Sequence, residues 1–150
     1  MTFESPLSHS GTDFGALSLL LQHRALLIAL DRLEAEVTRL RQESSSTLSV
    51  TGTIRLAREL RAFTRHLTLH FEAEARCTDE VIRENVDTQL IQALTTLDQE
   101  HPRLFLRFLT ATEQLEETDV PFTQGLQTLE EAIAIFRRHE AREDALFGTG

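Results

Sequence analysis

The 150-residue sequence has no lysine, tryptophan or tyrosine, one cysteine (Cys77), three prolines and six glycines. Each scarcity closes off a class of protein. Arginine is the only fixed side-chain cation and the net charge is -9, so the chain lacks a basic surface to neutralise phosphate or anionic lipid. Neither nucleic acid nor a membrane is an expected partner. A lone thiol makes no intrachain disulfide and no thiolate cluster, which excludes iron–sulfur and cysteine-rich zinc sites and fits a reducing, cytoplasmic setting. No segment reads as a membrane span, since the most apolar stretch, about residues 14 to 30, is interrupted by Gln22, His23 and Arg24. The start lacks a basic leader followed by an apolar run. Glycine-rich phosphate loops and recognisable nucleophile motifs are missing too.

What remains is a helix-forming chain of single-domain size, rich in Leu, Ala, Glu, Arg and Gln, 41% hydrophobic and 26% charged. Residues 1–11 read as a flexible N-terminal segment and 12–148 as one domain. A first helix is expected from the N-cap candidates Thr12 and Asp13 to about Glu43, where Ser44–Ser46 breaks it; its seam is Leu19, His23, Leu26, Leu30, Leu33 and Val37. A second runs from near Gly52–Thr53 past Cys77 and carries Leu56, Leu60, Phe63, Leu67, His70, Glu74, Cys77 and Val81 at alternating steps of four and three. After a break at Glu84–Asp87, a third helix has the seam Leu90, Leu94, Leu97, His101, Leu104, Phe108 and Leu115; Pro102 predicts a kink or a split there. Asp119–Pro121 ends it, and a fourth helix reaches about Phe147 with Leu126, Leu129, Ile133 and Phe136 on its apolar side. Four helices with short connections imply an all-α, antiparallel up-down-up-down four-helix bundle.

His23, His70, Glu74, His101, His139 and Glu143 occupy positions where such a bundle wants leucine. Buried imidazoles and carboxylates without partners each cost several kcal/mol, so a compensating group is required. In antiparallel neighbours, residues equidistant from the intervening turn share one height. The midpoint of His23 and His70 falls in the first break, that of His70 and His101 at the second, and that of His101 and His139 beside Pro121. One histidine from each helix therefore meets the others at one level. In the second and fourth helices a carboxylate follows at i+4, His70 to Glu74 and His139 to Glu143, about 6 Å along the axis on nearly the same face. Paired imidazoles and matched carboxylates in a bundle have the layout of a two-metal centre, and that donor set suits iron or manganese.

The segments LLLQH ending at His23, HFEAE from His70 to Glu74, DQEHP around His101 and HEARE from His139 to Glu143 resemble the hemerythrin family and its bacterial histidine-histidine-glutamate cation-binding relatives. That resemblance, from about Asp13 to Phe147, implies a non-haem di-iron four-helix bundle. Oxygen-carrying hemerythrins have a further histidine where this chain has Phe105, and pair the last histidine with an aspartate at the position of Asp144. Glu143 repeats the second-helix motif and is preferred, with Asp144 and Glu140 as rivals. His66, one turn before His70, is a possible substitute for the missing histidine or a surface residue. His9 precedes the first helix.

The resemblance further implies two irons bridged by Glu74, Glu143 and an oxo or hydroxo group, with manganese or zinc less expected. Apolar surroundings from Leu27, Leu67, Leu104, Phe105, Phe108 and Phe136 leave dioxygen, nitric oxide or peroxide as the small ligand. Binding or sensing such a molecule is the leading expectation. The alternatives are an enzyme or iron donor that handles nitric oxide or peroxide or repairs iron centres, and a metal-stabilised interaction module.

Overall fold

The computed structural model describes residues 13–43, 50–84, 86–117 and 119–147. The segment expected to be flexible, His9 and the serine break lie outside the described residues. Four helices follow in order: α1 (Asp13–Glu43), α2 (Val50–Glu84), α3 (Thr88–Glu116) and α4 (Phe122–Phe147). Among the described residues there is no strand, and no helix is long and apolar enough to cross a membrane.

The helix ends follow from local chemistry. Asp87 caps α3, its carboxylate accepting from the Gln89 N–H at 3.0 Å and the Leu90 N–H at 3.3 Å, which satisfies two of the donors a helix start leaves open. Pro121 lacks an N–H and stands just before α4, where its carbonyl accepts from the Gln124 N–H at 3.0 Å. The split considered at Pro102 does not occur: α3 is one helix through it, and the flanking Leu97, His101, Leu104 and Phe108 are all buried. Continuous packing along that seam outweighs the single backbone hydrogen bond that proline removes.

Each helix packs on the next in sequence, and α4 returns to α1. The principal core runs from Leu40, Leu56 and Leu126 at one end through Phe63, Phe108 and Phe136 to Leu26, Phe71 and Leu104. Phe63 sits 5.0 Å from Phe108 and 6.1 Å from Phe136, ring centre to ring centre. A second, much smaller apolar cluster, Val81 and Leu94 with Cys77, Leu90 and Leu146, lies towards the α2–α3 connection. Cys77 is half-buried there and its thiol is pushed up by burial. Cross-helix pairs ring the outside: Arg41 with Glu130, Arg61 with Glu116, Arg137 with Asp31 and Glu34, and Thr128 with Gln114. Between the two apolar clusters lies a layer that is not apolar.

Candidate metal centre

That layer is built by all four helices. His23 comes from α1, His70 and Glu74 from α2, His101 from α3, and His139, Glu140 and Glu143 from α4. All but the part-buried His23 are buried, on seams that continue into leucine and phenylalanine of the core. Their donor atoms form two groups, Glu74 with His101, His139 and Glu143, and His23 with His70 and Glu140; within each group the atoms lie within 4.8 Å of one another. Glu74 joins the two. Its Oε1 is 2.6 Å from His70 Nε2 while its Oε2 is 3.9 Å from His101 Nε2. Glu143 Oε2 is 3.5 Å from His139 Nε2 and 4.0 Å from His101 Nε2, and His23 Nδ1 is 2.6 Å from Glu140 Oε2.

These contacts are close without being hydrogen bonds. His23 Nε2, both nitrogens of His70, Glu74 Oε1, His101 Nε2, His139 Nε2 and both oxygens of Glu140 are buried with no hydrogen-bond partner. Orphaned buried polar atoms are few in folded proteins, and a group of them facing shared points matches the demand of a cation. Charge gives the same answer. Burial, and then Glu143, push the Glu74 carboxyl well above its ordinary range, and burial with repulsion from Glu143 takes Glu140 to about 10. Burial opposes ionisation of Glu143 as well, but the contact with Glu74 and the adjacent His139 hold it at about 2. Without a cation, two of three clustered carboxyls keep their protons. Burial lowers His70 and His101 to about 4, so both imidazoles are neutral near pH 7 with a lone pair to offer. Four imidazoles and three carboxylates are a donor set that fits a borderline metal ion.

A family model described as the hemerythrin HHE cation binding domain matches residues 18–149. The chain belongs to this family. No curated protein and no solved structure matches it.

Within this HHE domain, the six principal residues expected from the sequence converge on one layer. Of the two rivals to Glu143, Glu140 joins His23 and His70, whereas the Asp144 carboxylate is one-third exposed and stands 3.7 Å from His23 Nε2. Both carboxylates of the HEARE segment thus turn inward, instead of one excluding the other. His66 is exposed and belongs to neither group, because its direction from α2 lies well off the seam. Three participants escaped the sequence reading. Phe71 stacks on the His101 ring at 3.9 Å and 3°, although it follows directly on His70. Asp98 Oδ1 is 3.4 Å from His101 Nδ1, and Glu100 Oε1 bonds His139 Nδ1 at 2.9 Å. The midpoint rule that aligned the histidines also fits Glu100 and His139, whose midpoint lies in the turn before α4.

Proposed function

We propose that this HHE domain holds two iron ions and binds or senses dioxygen, nitric oxide or peroxide there. The carrying observation is the single layer of orphaned imidazole and carboxylate atoms in two groups linked by Glu74. His23 and His70 with Glu140 would hold one ion, His101 and His139 the other, with Glu74 and Glu143 between them. Iron in this setting supplies a redox-active site open to a small oxidant. The protein's part is to exclude water and bulk: Leu26, Leu67, Leu104, Phe71 and Phe136 are buried on one side of the layer, and this favours a diatomic or peroxide over a larger substrate. An antiparallel up-down-up-down arrangement is part of the proposal. It is supported by partner numbers that run in opposite order, Arg61 with Glu116 and Glu74 near His101, or Asp31 with Arg137 and Arg41 with Glu130.

One observation favours a second reading. Glu140 adds a third buried carboxylate, and hard oxygen donors favour the oxidised ion, which suits an enzyme or iron donor better than reversible carriage. The test is metal analysis with an optical spectrum, followed by rapid mixing of the reduced protein with each oxidant. Two irons and fast reversible dioxygen binding support the first reading; repeated turnover of nitric oxide or peroxide supports the second. Protein purified from iron-replete cells without iron, and with unchanged melting on chelation, would sink both and leave an interaction module.

A further inference from the structure

His139 is fully buried, and of the four clustered imidazoles it is the one with a hydrogen-bonded carboxylate behind it. Its Nδ1 meets Glu100 Oε1 at 2.9 Å, leaving Nε2 as the atom turned to the group of Glu74, His101 and Glu143. Glu100 is fixed in turn. Arg142, one turn after His139 on α4, grips both oxygens of Glu100, with Nη1 2.8 Å from Oε2 and Nη2 on Oε1. The chain of contacts runs from α4 to α3 and back to α4. By contrast, His70 Nδ1 has no hydrogen-bond partner, and the Asp98 carboxylate behind His101 stands off at 3.4 Å.

We propose that Glu100 is a positioning residue: it fixes His139 as the tautomer with hydrogen on Nδ1 and aims Nε2 at a metal ion, while Arg142 holds Glu100 in place. This rests on the metal-binding reading above and names a residue outside the proposed ligand set. A ring nitrogen that donates to a carboxylate cannot also be the lone-pair donor, so the Glu100 bond selects which nitrogen remains for coordination. The Glu100–Arg142 pair is partly solvated, with Arg142 about half exposed, and by itself contributes little to folding. Its use is therefore directional. Of the two imidazoles grouped with Glu74 and Glu143, His139 alone has a carboxylate hydrogen-bonded behind it, and Asp98 stands off from His101.

The experiment titrates zinc ion alone, as a diamagnetic probe, into wild type, Glu100→Leu, Glu100→Gln and Arg142→Gln against a chromogenic chelator. Long-range 15N–1H spectra of the histidine rings are recorded on the zinc-loaded proteins, in which His139 carries a single ring proton. Removing such an outer partner is expected to weaken the zinc step at this position roughly 10- to 100-fold in Glu100→Leu and to mix the His139 tautomers. Glu100→Gln keeps an acceptor oxygen, so it retains the tautomer and loses less affinity; Arg142→Gln also keeps the tautomer. Melting of each metal-free variant separates these effects from misfolding. Wild-type zinc affinity and a wild-type His139 pattern in folded Glu100→Leu would overturn the proposal. Failure of the wild-type protein to take up zinc or iron would instead overturn the metal-binding reading on which it stands.

Discussion

Glu140 keeps its proton up to about pH 10 in the metal-free protein, far above the ordinary 4.5 of a glutamate in the unfolded chain. The folded state therefore binds the extra proton between those values, and stability falls as pH rises through them, by at most about 1.4 kcal/mol per pH unit for one proton. His70 and His101 act oppositely. Lowered to about 4 from 6.5, they leave the unfolded chain holding more protons, so stability rises with pH across that interval. Above pH 6.5 the contribution of His70 and His101 is complete and that of Glu140 remains; His139, held above its ordinary value against the effect of burial by Glu143 and Glu100, adds stability that is likewise lost as pH rises. The melting temperature of metal-free protein is expected to fall steadily from pH 6.5 to 9, whereas the metal-loaded protein, its carboxylates ionised in both states, stays nearly flat. Proton release on metal addition, followed in weakly buffered solution, checks the same coupling. Glu140→Leu removes the orphaned carboxyl at similar volume; it is expected to raise metal-free stability by about 1–3 kcal/mol and to lower metal content. Urea titration with metal analysis reads both. His23, His70, His101 and His139 were legible together, because each stands on an apolar seam and their spacing about the breaks puts them at one level. Glu100 and Phe71 were not, since a glutamate or phenylalanine in a helix is ordinary until a neighbouring helix gives it a partner.

At the scale of elements, periodicity located all four helices because their seams are long and the breaks carry serine, aspartate or proline. What periodicity could not weigh was Pro102, where a local rule favouring a break competes with packing against α2 and α4. Gly125 poses a related question. A Cβ there would stand 2.8 Å from Leu115 Cδ2, so α4 approaches α3 at this point more closely than a side chain allows. Gly125→Ala gains about 1 kcal/mol of helix propensity and loses about 1–3 kcal/mol to overpacking. The expected net result is destabilisation of up to about 2 kcal/mol by urea titration. Metal content should be unchanged, because Gly125 and His139 are about 20 Å apart along α4.

In the whole molecule, the polar layer divides the apolar interior unequally. The larger core includes Leu40, Leu60, Phe63, Phe108 and Leu129 and is expected to hold the four helices together with no metal present. Among the described residues, Val81 and Leu94, with the partly buried Cys77, Leu90 and Leu146, form a much smaller cluster, separate from the main core. A cation supplies opposite charge to Glu74, Glu140 and Glu143 and so joins the two parts; without it, protonation of the carboxyls leaves the layer weakly cross-linked. Chelation is therefore expected to leave the far-ultraviolet helix signal nearly intact while loosening one end. Hydrogen exchange compared with and without metal locates the change: amides of residues 74–84, 88–101 and 139–146 should lose protection on chelation, while those of 56–67, 104–115 and 126–136 should keep it. Uniform loss along all four helices would mean that the metal holds the entire bundle, and no loss anywhere would mean that the layer closes without a cation. Only the graded pattern makes the metal a local clasp at the α2–α3 end of a bundle whose main core stands alone.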